Sequence, residues 1–256
     1  MDILRKLYSL EGKTAIVTGA SKGIGRAIAV ALAQAGADVA VVARSEKELA
    51  EVADEIGRLG RNVLAVSMDL FQVRDIPEKV DAIHRHFGKI DILVNNAGMN
   101  IAKPAMEVTE EDWDKVLDLN LKSAFFMSQA VARHMIPRNR GKIVNMSSQM
   151  AFVGYYKRAA YCSSKGGLSQ MTKALAIEWA KHRINVNAIA PTFIETPMTR
   201  PMFEDKSFLE DVLSRIPLGR LGTESDLFGA VIYLSSDASD LVTGHTLTVD
   251  GGWTVW

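Results

Sequence analysis

The chain of 256 residues has little of several features that would direct its function. It holds one cysteine, Cys162, which excludes an internal disulfide and any zinc site built from several cysteines. Thirty basic residues balance thirty acidic ones, so net charge gives no reason to expect nucleic acid or an anionic membrane as partner. No apolar run approaches the roughly 20 residues that span a bilayer, and the first residues lack a signal-peptide pattern. We therefore expect a cytoplasmic protein, and no cluster of His, Asp or Glu indicates a metal.

What the chain does have is a regular alternation of short apolar runs and longer amphipathic stretches. Strands are predicted at 14–17, 38–43, 63–66, 90–94, 142–146, 184–189 and 246–249, with helices at 24–35, 46–59, 73–87, 109–135, 159–181 and 224–234. The strands are continuous apolar runs, which is typical of parallel strands buried on both faces. The pattern predicts an α/β fold, a single-domain Rossmann-type doubly wound parallel sheet of about seven strands spanning residues 1–256.

A glycine-rich turn follows the first predicted strand. The segment from Thr18 to Gly25 reads TGASKGIG and leads into a helix. Glycines let the backbone turn sharply and approach a pyrophosphate, while the helix N-terminus offers free N–H groups to the anion. It is not a nucleoside-triphosphate loop, because Lys22 precedes Gly23 and no Ser or Thr follows as a magnesium ligand. The position of the turn after the first strand indicates a dinucleotide site.

The end of the second strand bears on which dinucleotide binds. An acidic residue there would hold the ribose 2′-hydroxyl of NAD, but this chain has Arg44. Asp38 lies at the other end of that strand, and Glu46 begins the next helix. Arg44 and Lys22 would suit a 2′-phosphate, although both are also compatible with solvated surface charges. The sequence favours NADP(H) over NAD(H).

Tyr161 and Lys165 are four residues apart on a predicted helix and so share one face. A free phenol titrates at about pH 10 and exchanges protons poorly at neutral pH. A fixed ammonium beside it should lower that pKa. Ser148 follows the fifth strand, thirteen positions upstream. Together they suggest proton transfer to or from a substrate oxygen, although a half-buried tyrosine beside a solvated lysine is the commoner use of this spacing.

These motifs in this order resemble the short-chain dehydrogenase/reductase family over essentially the whole chain. The family pattern T-G-x-x-x-G-x-G lies at 18–25, N-N-A-G at 95–98, and Y-x-x-x-K at 161–165, with Asn120 on the fourth helix and Ser148 after strand five. One departure is Thr192, which follows Pro191 where the family usually has glycine.

The resemblance implies roles for individual residues. Tyr161 would be the general acid in reduction and the base in oxidation, and Lys165 would lower its pKa and bind the nicotinamide ribose. Ser148 would hold the substrate oxygen, and Asn120 a water that relays protons to Lys165. Cofactor contacts are expected at Gly19, Ser21, Lys22, Gly23, Ile24, Gly25, Arg44, Asp69, Leu70, Asn96, Ala97, Gly98, Tyr161, Lys165, Pro191, Ile194 and Thr196.

The substrate is less well indicated. The variable loop of the family predicts a lid at about 192–213, over a pocket whose candidates include Asn100, Ser148, Gln149, Met150, Tyr155, Tyr156, Tyr161 and Met198. Their polarity favours a polyol, sugar or sugar acid as the alcohol or ketone. Segments 216–220 and 249–256 resemble those of gluconate 5-dehydrogenase-like and polyol dehydrogenase-like members. Arg158 or Arg200 could pair with a carboxylate, but solvated surface arginines are the favoured alternative.

Two other functions stay open from the sequence. A 3-oxoacyl-[acyl-carrier-protein] reductase-like ketoreductase would need a basic patch at the site mouth, which we cannot place. A non-catalytic dinucleotide-binding sensor would not need the set Asn120, Ser148, Tyr161 and Lys165. The resemblance also implies self-association as a homotetramer or dimer. Interface candidates are the apolar C-terminus at 253–256 and helical segments 125–127 and 171–179.

Overall fold

A parallel sheet forms the centre of the computed structural model, which describes residues 3–197 and 199–255. Its strands are β1 (Thr14–Thr18), β2 (Asp38–Ala43), β3 (Val63–Ser67), β4 (Ile92–Asn95), β5 (Gly141–Met146), β6 (Ile184–Pro191) and β7 (Thr246–Val249). They lie in the order β3-β2-β1-β4-β5-β6-β7, and every neighbouring pair is parallel. The predicted Rossmann-type sheet is therefore confirmed.

Helices cover both faces of this sheet. They are α1 (Ile3–Tyr8), α2 (Gly23–Gln34), α3 (Glu46–Arg58), α4 (Ile76–Phe87), α5 (Glu110–Leu117), α6 (Ser123–Met135), α7 (Ala159–Trp179), α8 (Lys206–Ser214) and α9 (Phe228–Ser235). One apolar layer joins α2, α3 and α9 to the sheet, and the other joins α4, α6 and α7. The two layers explain why the strands read as continuous apolar runs. Within residues 3–197 and 199–255, no helix is long and apolar enough to cross a membrane.

The strand order reverses between β1 and β4, and this switch point positions the site. From β1 the chain adds β2 and then β3 on one side of the sheet, and β4 then pairs with β1 on its other side. Ligands of such sheets bind in the crevice beyond the carboxyl ends of the strands at that point. The turns after β1, β4, β5 and β6 all meet at this edge, and they carry the predicted glycine turn, Asn96, Ser148 and Pro191.

Some elements differ from the prediction. The expected helix at 109–135 is divided into α5 and α6 by a π-helical turn at Asp118–Lys122. Helix α1 was not predicted, because it is six residues long and buries none of them. Helix α8 begins within the segment predicted to be a lid, at about 192–213, for which no helix bounds were predicted. The helix predicted at 224–234 starts as a 3₁₀ turn over Glu224–Leu227 before α9.

Part of the C-terminal segment packs within its own chain, and the interface role of that segment stays a prediction. Trp253 is buried inside its own chain, where its ring lies 5.7 Å from that of Phe193 and 5.8 Å from that of Tyr155, centroid to centroid. Aromatic burial within the subunit therefore accounts for this residue. Val255 is exposed, and Trp256 lies outside the described residues.

Candidate active site

The glycine turn after β1 is shaped for close approach of a ligand. Gly19 and Gly23 take left-handed backbone conformations, with φ of +65° and +54°. A Cβ on Gly25 would lie 2.2 Å from the carbonyl oxygen of Gly19, so no larger residue fits there. Lys22 is the N-cap residue of α2, and its side chain does not hydrogen-bond the first backbone N–H groups of that helix. Those groups remain available for an anion, and the cradle fits a pyrophosphate.

Thr18 joins the turn after β1 to the turn after β4. Its hydroxyl oxygen accepts from the backbone N–H groups of Asn96 (3.0 Å) and Ala97 (3.1 Å). The side-chain amide of Asn96 donates in return to the Thr18 carbonyl oxygen at 2.9 Å. These bonds bring the predicted residues Asn96, Ala97 and Gly98 against the glycine turn. The sequence reasoning assigned no part to Thr18, although it stands first in the recognised motif.

The residues predicted to contact the adenosine end of the cofactor follow β1, β2 and β3. Arg44 and Lys22 are both exposed, and neither forms an ion pair within the described residues. Asp69 is also exposed and accepts the N–H of Phe71 at 3.1 Å, while Leu70 is buried beside it. Two unpaired cations at this edge are compatible with a 2′-phosphate.

The segment after β6 carries the predicted nicotinamide contacts Pro191, Ile194 and Thr196. Ile194 and Thr196 are buried, and the Thr196 N–H donates to the Thr199 hydroxyl at 2.9 Å. Thr192 avoids the left-handed region of φ, so its side chain is accommodated where the family has glycine. Its hydroxyl oxygen is buried without a hydrogen-bond partner. An orphaned polar atom here fits a site that a carboxamide would complete.

Asn120 is held in the π-helical turn between α5 and α6. Its carboxamide oxygen accepts the N–H of Met99 (2.7 Å), and its Nδ2 donates to the Met99 carbonyl (2.8 Å) and the Ser164 hydroxyl (3.0 Å). The side chain thereby fixes the loop after β4 against α7. A Cβ on Gly98 would lie 3.2 Å from Asn120 Oδ1 and 3.6 Å from Lys165 Nζ, so both side chains approach this loop. The proton-relay role of Asn120 stays a prediction.

Lys165 and Tyr161 lie together near the N-terminus of α7, with Lys165 Nζ 5.6 Å from the centre of the phenol ring. Lys165 is 4% exposed and donates to the Met146 carbonyl oxygen at 2.6 Å. Burial lowers its pKa to about 8. The lysine is therefore mostly protonated at pH 7, and it is not the solvated side chain of the commoner alternative.

The pKa of Tyr161 corrects one expectation. Burial raises it above the ordinary value for a phenol, while a hydrogen bond with Ser148 and the charge of Arg158 oppose the rise. The expected net lowering is therefore wrong for this structure, because desolvation of the phenolate outweighs the favourable interactions, while the contribution of Lys165 stays a prediction. Tyr161 is a neutral phenol at neutral pH.

Ser148 lies at the end of β5 and is buried beside Tyr161. Its hydroxyl donates to Gln149 Oε1 at 2.8 Å and accepts the Met150 N–H at 3.2 Å. The structure thus brings together Ser148, Tyr161 and Lys165 at one point of the sheet edge.

The predicted substrate residues divide into two groups. Met150 and Gln149 are buried beside Ser148, whereas Asn100 and Tyr156 are exposed. Tyr155 donates its hydroxyl to Asp211 Oδ2 of α8 at 2.7 Å. It therefore contacts the segment predicted to be the lid, and its part in substrate binding stays a prediction. Met198 lies outside the described residues.

The two candidate carboxylate partners also separate. Arg200 lies in the lid segment and its exposed side chain donates to Glu195 Oε1 at 3.1 Å. Arg158 is 7% exposed, so the expected surface arginine is in fact buried beside Tyr161. In the part of the chain that the structure describes, no group of three His, Cys, Asp or Glu side chains could hold a metal.

Comparisons with known proteins agree with this geometry. A family model described as "Enoyl-(Acyl carrier protein) reductase" matches residues 19–254. The chain is 47% identical over 247 residues to the 2-dehydro-3-deoxy-D-gluconate 5-dehydrogenase of Escherichia coli (strain K12), covering 96% of this chain and 97% of that protein. It is 40% identical over 250 residues to the NAD-dependent glycerol dehydrogenase of Listeria innocua, with 98% and 97% covered.

A solved structure shows the same fold. The gluconate 5-dehydrogenase from Burkholderia cenocepacia J2315, crystallised in complex with NADP and tartrate, has a TM-score of 0.95 and 36% identity. The match covers 98% of this chain and 99% of that one. These similarities extend over nearly the full length of the chain. The chain therefore belongs to the short-chain dehydrogenase/reductase family of NAD(P)-dependent oxidoreductases.

Proposed function

We propose that the protein is an NADP(H)-dependent oxidoreductase that interconverts a secondary alcohol and a ketone on a sugar acid. The group formed by buried Ser148 and Lys165 with half-buried Tyr161, placed at the cofactor edge of the sheet, carries this proposal. When bound, the nicotinamide accepts or supplies the hydride. The cradle at Gly19–Gly25 would hold its pyrophosphate, and Thr192, Ile194 and Thr196 would contact the carboxamide.

The protein residues handle the oxygen and its proton. In reduction, the neutral phenol of Tyr161 donates a proton to the carbonyl oxygen as its carbon receives the hydride. In oxidation, the phenolate takes the hydroxyl proton instead. The Ser148 hydroxyl contacts both the phenol and the oxygen, and it donates to that oxygen as negative charge develops. The ammonium of Lys165 is close enough to stabilise the phenolate that forms when Tyr161 gives up its proton.

The choice of a sugar acid rests on the relatives and the pocket. Two of the three compared proteins are named for gluconate or a dehydrodeoxygluconate, and one was crystallised with tartrate. The Ser148 hydroxyl donates to the carboxamide oxygen of buried Gln149, and polar surroundings of this kind suit hydroxyl groups better than a long acyl chain. This favours the sugar acid over the 3-oxoacyl thioester. A fully assembled proton-transfer group also argues against a sensor without catalysis.

We propose NADP(H) over NAD(H) because Arg44 and Lys22 are unpaired cations at the adenosine end of the site. Arg44→Ala should weaken NADPH binding at least 10-fold and leave NADH binding within a few-fold, because only NADPH offers a 2′-phosphate. Arg58→Ala is the matched control, since it removes the same charge at the far end of α3. Equal losses for both cofactors in Arg44→Ala would refute the preference.

We also propose a homotetramer or dimer in the cytoplasm, with the segment 192–213 acting as a lid. An apolar depression between α6 and α7, lined by Leu121, Phe125, Phe126 and Met171, supports self-association through these helices. The single, partly buried cysteine suits a reducing compartment. Lid motion is supported by the packing of α8 on Tyr155 through one hydrogen bond and ring contacts. Light scattering that shows a monomer at micromolar concentration would contradict the oligomer.

The central experiment is an assay of sugar acids, polyols and their ketones with both cofactors, followed by the absorbance of the reduced nicotinamide. Turnover should be highest with a hydroxy or keto sugar acid and NADP(H). Tyr161→Phe should reduce kcat at least 10³-fold while NADPH affinity stays within a few-fold, because the ring remains and only the proton is lost. Cofactor binding without turnover of any member of the panel would favour the sensor.

A further inference from the structure

Arg158 is a buried cation without a counterion. It is 7% exposed, and among the described arginines it is the one that is buried. One of its guanidinium nitrogens, Nη1, donates to the Lys157 carbonyl oxygen at 3.2 Å. No carboxylate lies within ion-pair distance of it in residues 3–197 and 199–255. A guanidinium carries five donors and keeps its proton, so most of its capacity is unused in this environment.

Such a group is costly to bury, and its position is therefore informative. Charges inside proteins are normally paired, as buried Asp91 is with Arg138 at 2.6 Å. Burial lowers the pKa of Arg158, which is a sign that the surroundings disfavour its charge. An anion supplied from outside the chain would remove that penalty.

The backbone directly before Arg158 is in an uncommon conformation. Lys157 has φ of +58°, a left-handed conformation that a non-glycine residue adopts at some cost. It places Arg158 directly before α7, and the side chain of Arg158 does not cap that helix. Strain of this kind marks positions where the surrounding structure holds a group for a purpose. Here it holds a guanidinium beside the phenol of Tyr161.

The electrostatic neighbours of Arg158 are the groups that surround the reacting oxygen. Its charge acts on Tyr161 and on Tyr155, and Tyr161 in turn hydrogen-bonds Ser148. Arg158 lies directly before α7 and three residues before Tyr161, and its charge acts on that phenol. A substrate whose carbinol carbon faces Tyr161 can therefore extend a second polar group to Arg158.

We propose that Arg158 binds the carboxylate of the substrate and thereby selects sugar acids over neutral polyols of the same length. This inference rests on the proposed function and names the residue that determines its substrate class. The guanidinium fork matches the two oxygens of a carboxylate, whereas a terminal hydroxymethyl group offers one oxygen and no charge. Arg200 is unsuited to the role because it is exposed and already paired with Glu195.

Two other roles would give different results. Arg158 could act only on the pKa of Tyr161, or it could only brace the Lys157 carbonyl. Either role would affect every substrate alike. The test therefore compares gluconate with glucitol, which differ only at C1, where one has a carboxylate and the other a hydroxymethyl group.

The variants are Arg158→Gln, Arg158→Lys and the control Arg200→Gln. In Arg158→Gln, the ratio of kcat/KM for gluconate to that for glucitol should fall about 10- to 100-fold, the range of charge-assisted hydrogen bonds. Arg158→Lys should lower this ratio of kcat/KM values less than Arg158→Gln does, because lysine keeps the positive charge but not the two-pronged guanidinium. Arg200→Gln should retain the wild-type ratio. Equal losses for both substrates in Arg158→Gln, with a displaced pH profile, would overturn the proposal.

A binding measurement separates this inference from the proposed function. Gluconate and NADPH are both reduced, so their complex with the enzyme cannot react and its Kd is measurable by calorimetry. Arg158→Gln should weaken gluconate at least 10-fold while NADPH affinity and Tm stay near the wild-type values. If wild-type enzyme turns over no sugar acid, the proposed function fails, but the calorimetric comparison still decides the role of Arg158. The proposal for Arg158 would be overturned if the wild type bound no gluconate, or if the wild type and Arg158→Gln had equal Kd values for gluconate.

Discussion

Lys165→Met should separate the stability of this protein from its activity. Burial lowers the pKa of Lys165 from its ordinary 10.5 to about 8, so holding the ammonium charged at pH 7 costs about 3 kcal/mol. Its hydrogen bond to the Met146 carbonyl oxygen, 2.6 Å long, offsets about 1.5–3 kcal/mol of this cost. Methionine has a similar length and no charge to desolvate. Without cofactor, the variant should be as stable as the wild type at pH 7, or more stable by up to about 2 kcal/mol.

The lowered pKa of Lys165 also makes the difference in stability between the variant and the wild type depend on pH. Because the folded-state pKa lies below the unfolded one, the unfolded protein binds more protons between about pH 8 and 10.5. In the wild type, the contribution of Lys165 to stability therefore rises with pH across that window, and the variant lacks this rise. The advantage of the variant at pH 7 should thus disappear near pH 10.

Urea unfolding at both pH values measures this effect, because the difference between the two proteins isolates Lys165 from the other titrating groups. Turnover should be lost in the variant at either pH, since the phenolate of Tyr161 loses its neighbouring cation. A variant less stable than the wild type by more than about 2 kcal/mol at pH 7 would refute the reasoning. So would an identical pH slope for the two proteins.

Two further predictions concern the glycine turn and the proton donor. Gly25→Ala should destabilise the protein by about 1–3 kcal/mol or more and weaken NADPH binding, because its Cβ would lie 2.2 Å from the Gly19 carbonyl oxygen. Gly57→Ala near the end of α3 is its control, since a Cβ there meets nothing within 4 Å and should stabilise by about 0.5–1 kcal/mol. Thermal unfolding and calorimetry distinguish them, and a fully tolerated Gly25→Ala would show the turn to be looser than described. Ser148→Ala should lower kcat/KM about 10²- to 10³-fold and move the phenol limb of the reduction profile to higher pH, because the bond that lowers the Tyr161 pKa is lost. A shift of that limb to lower pH would contradict the assignment.

The sheet and its switch point were predictable from sequence because their signals are local. A parallel strand buried on both faces is mostly apolar, and β1 (TAIVT) and β2 (DVAVVA) read that way in the chain. The glycine turn was equally visible, since Gly25 is required by a contact only six residues away, with Gly19. The π-helical turn was not visible, because it depends on Asn120 reaching Met99 and Ser164, which lie far along the chain.

Arg158 shows why the site could be predicted only in part. Arginine is a residue type that is mostly exposed, so the sequence alone predicts a surface position for Arg158. It is nevertheless buried directly before α7, after a left-handed residue at Lys157, and no periodicity of the sequence records this. Arg158 could therefore be named from the sequence as a candidate carboxylate partner, but its burial could not be predicted.

The pKa of Tyr161 likewise depends on surroundings that the sequence does not show. The spacing of Tyr161 and Lys165 indicates that a cation lies near the phenol, and the structure confirms that proximity at 5.6 Å. The direction of the shift, however, is set by a competition between burial, which raises the pKa, and the bond to Ser148 and the charge of Arg158, which lower it. Burial wins, so the enzyme holds a protonated phenol at neutral pH. The chain is thus poised to donate a proton to a ketone, and oxidation of the alcohol should require a higher pH to form the phenolate.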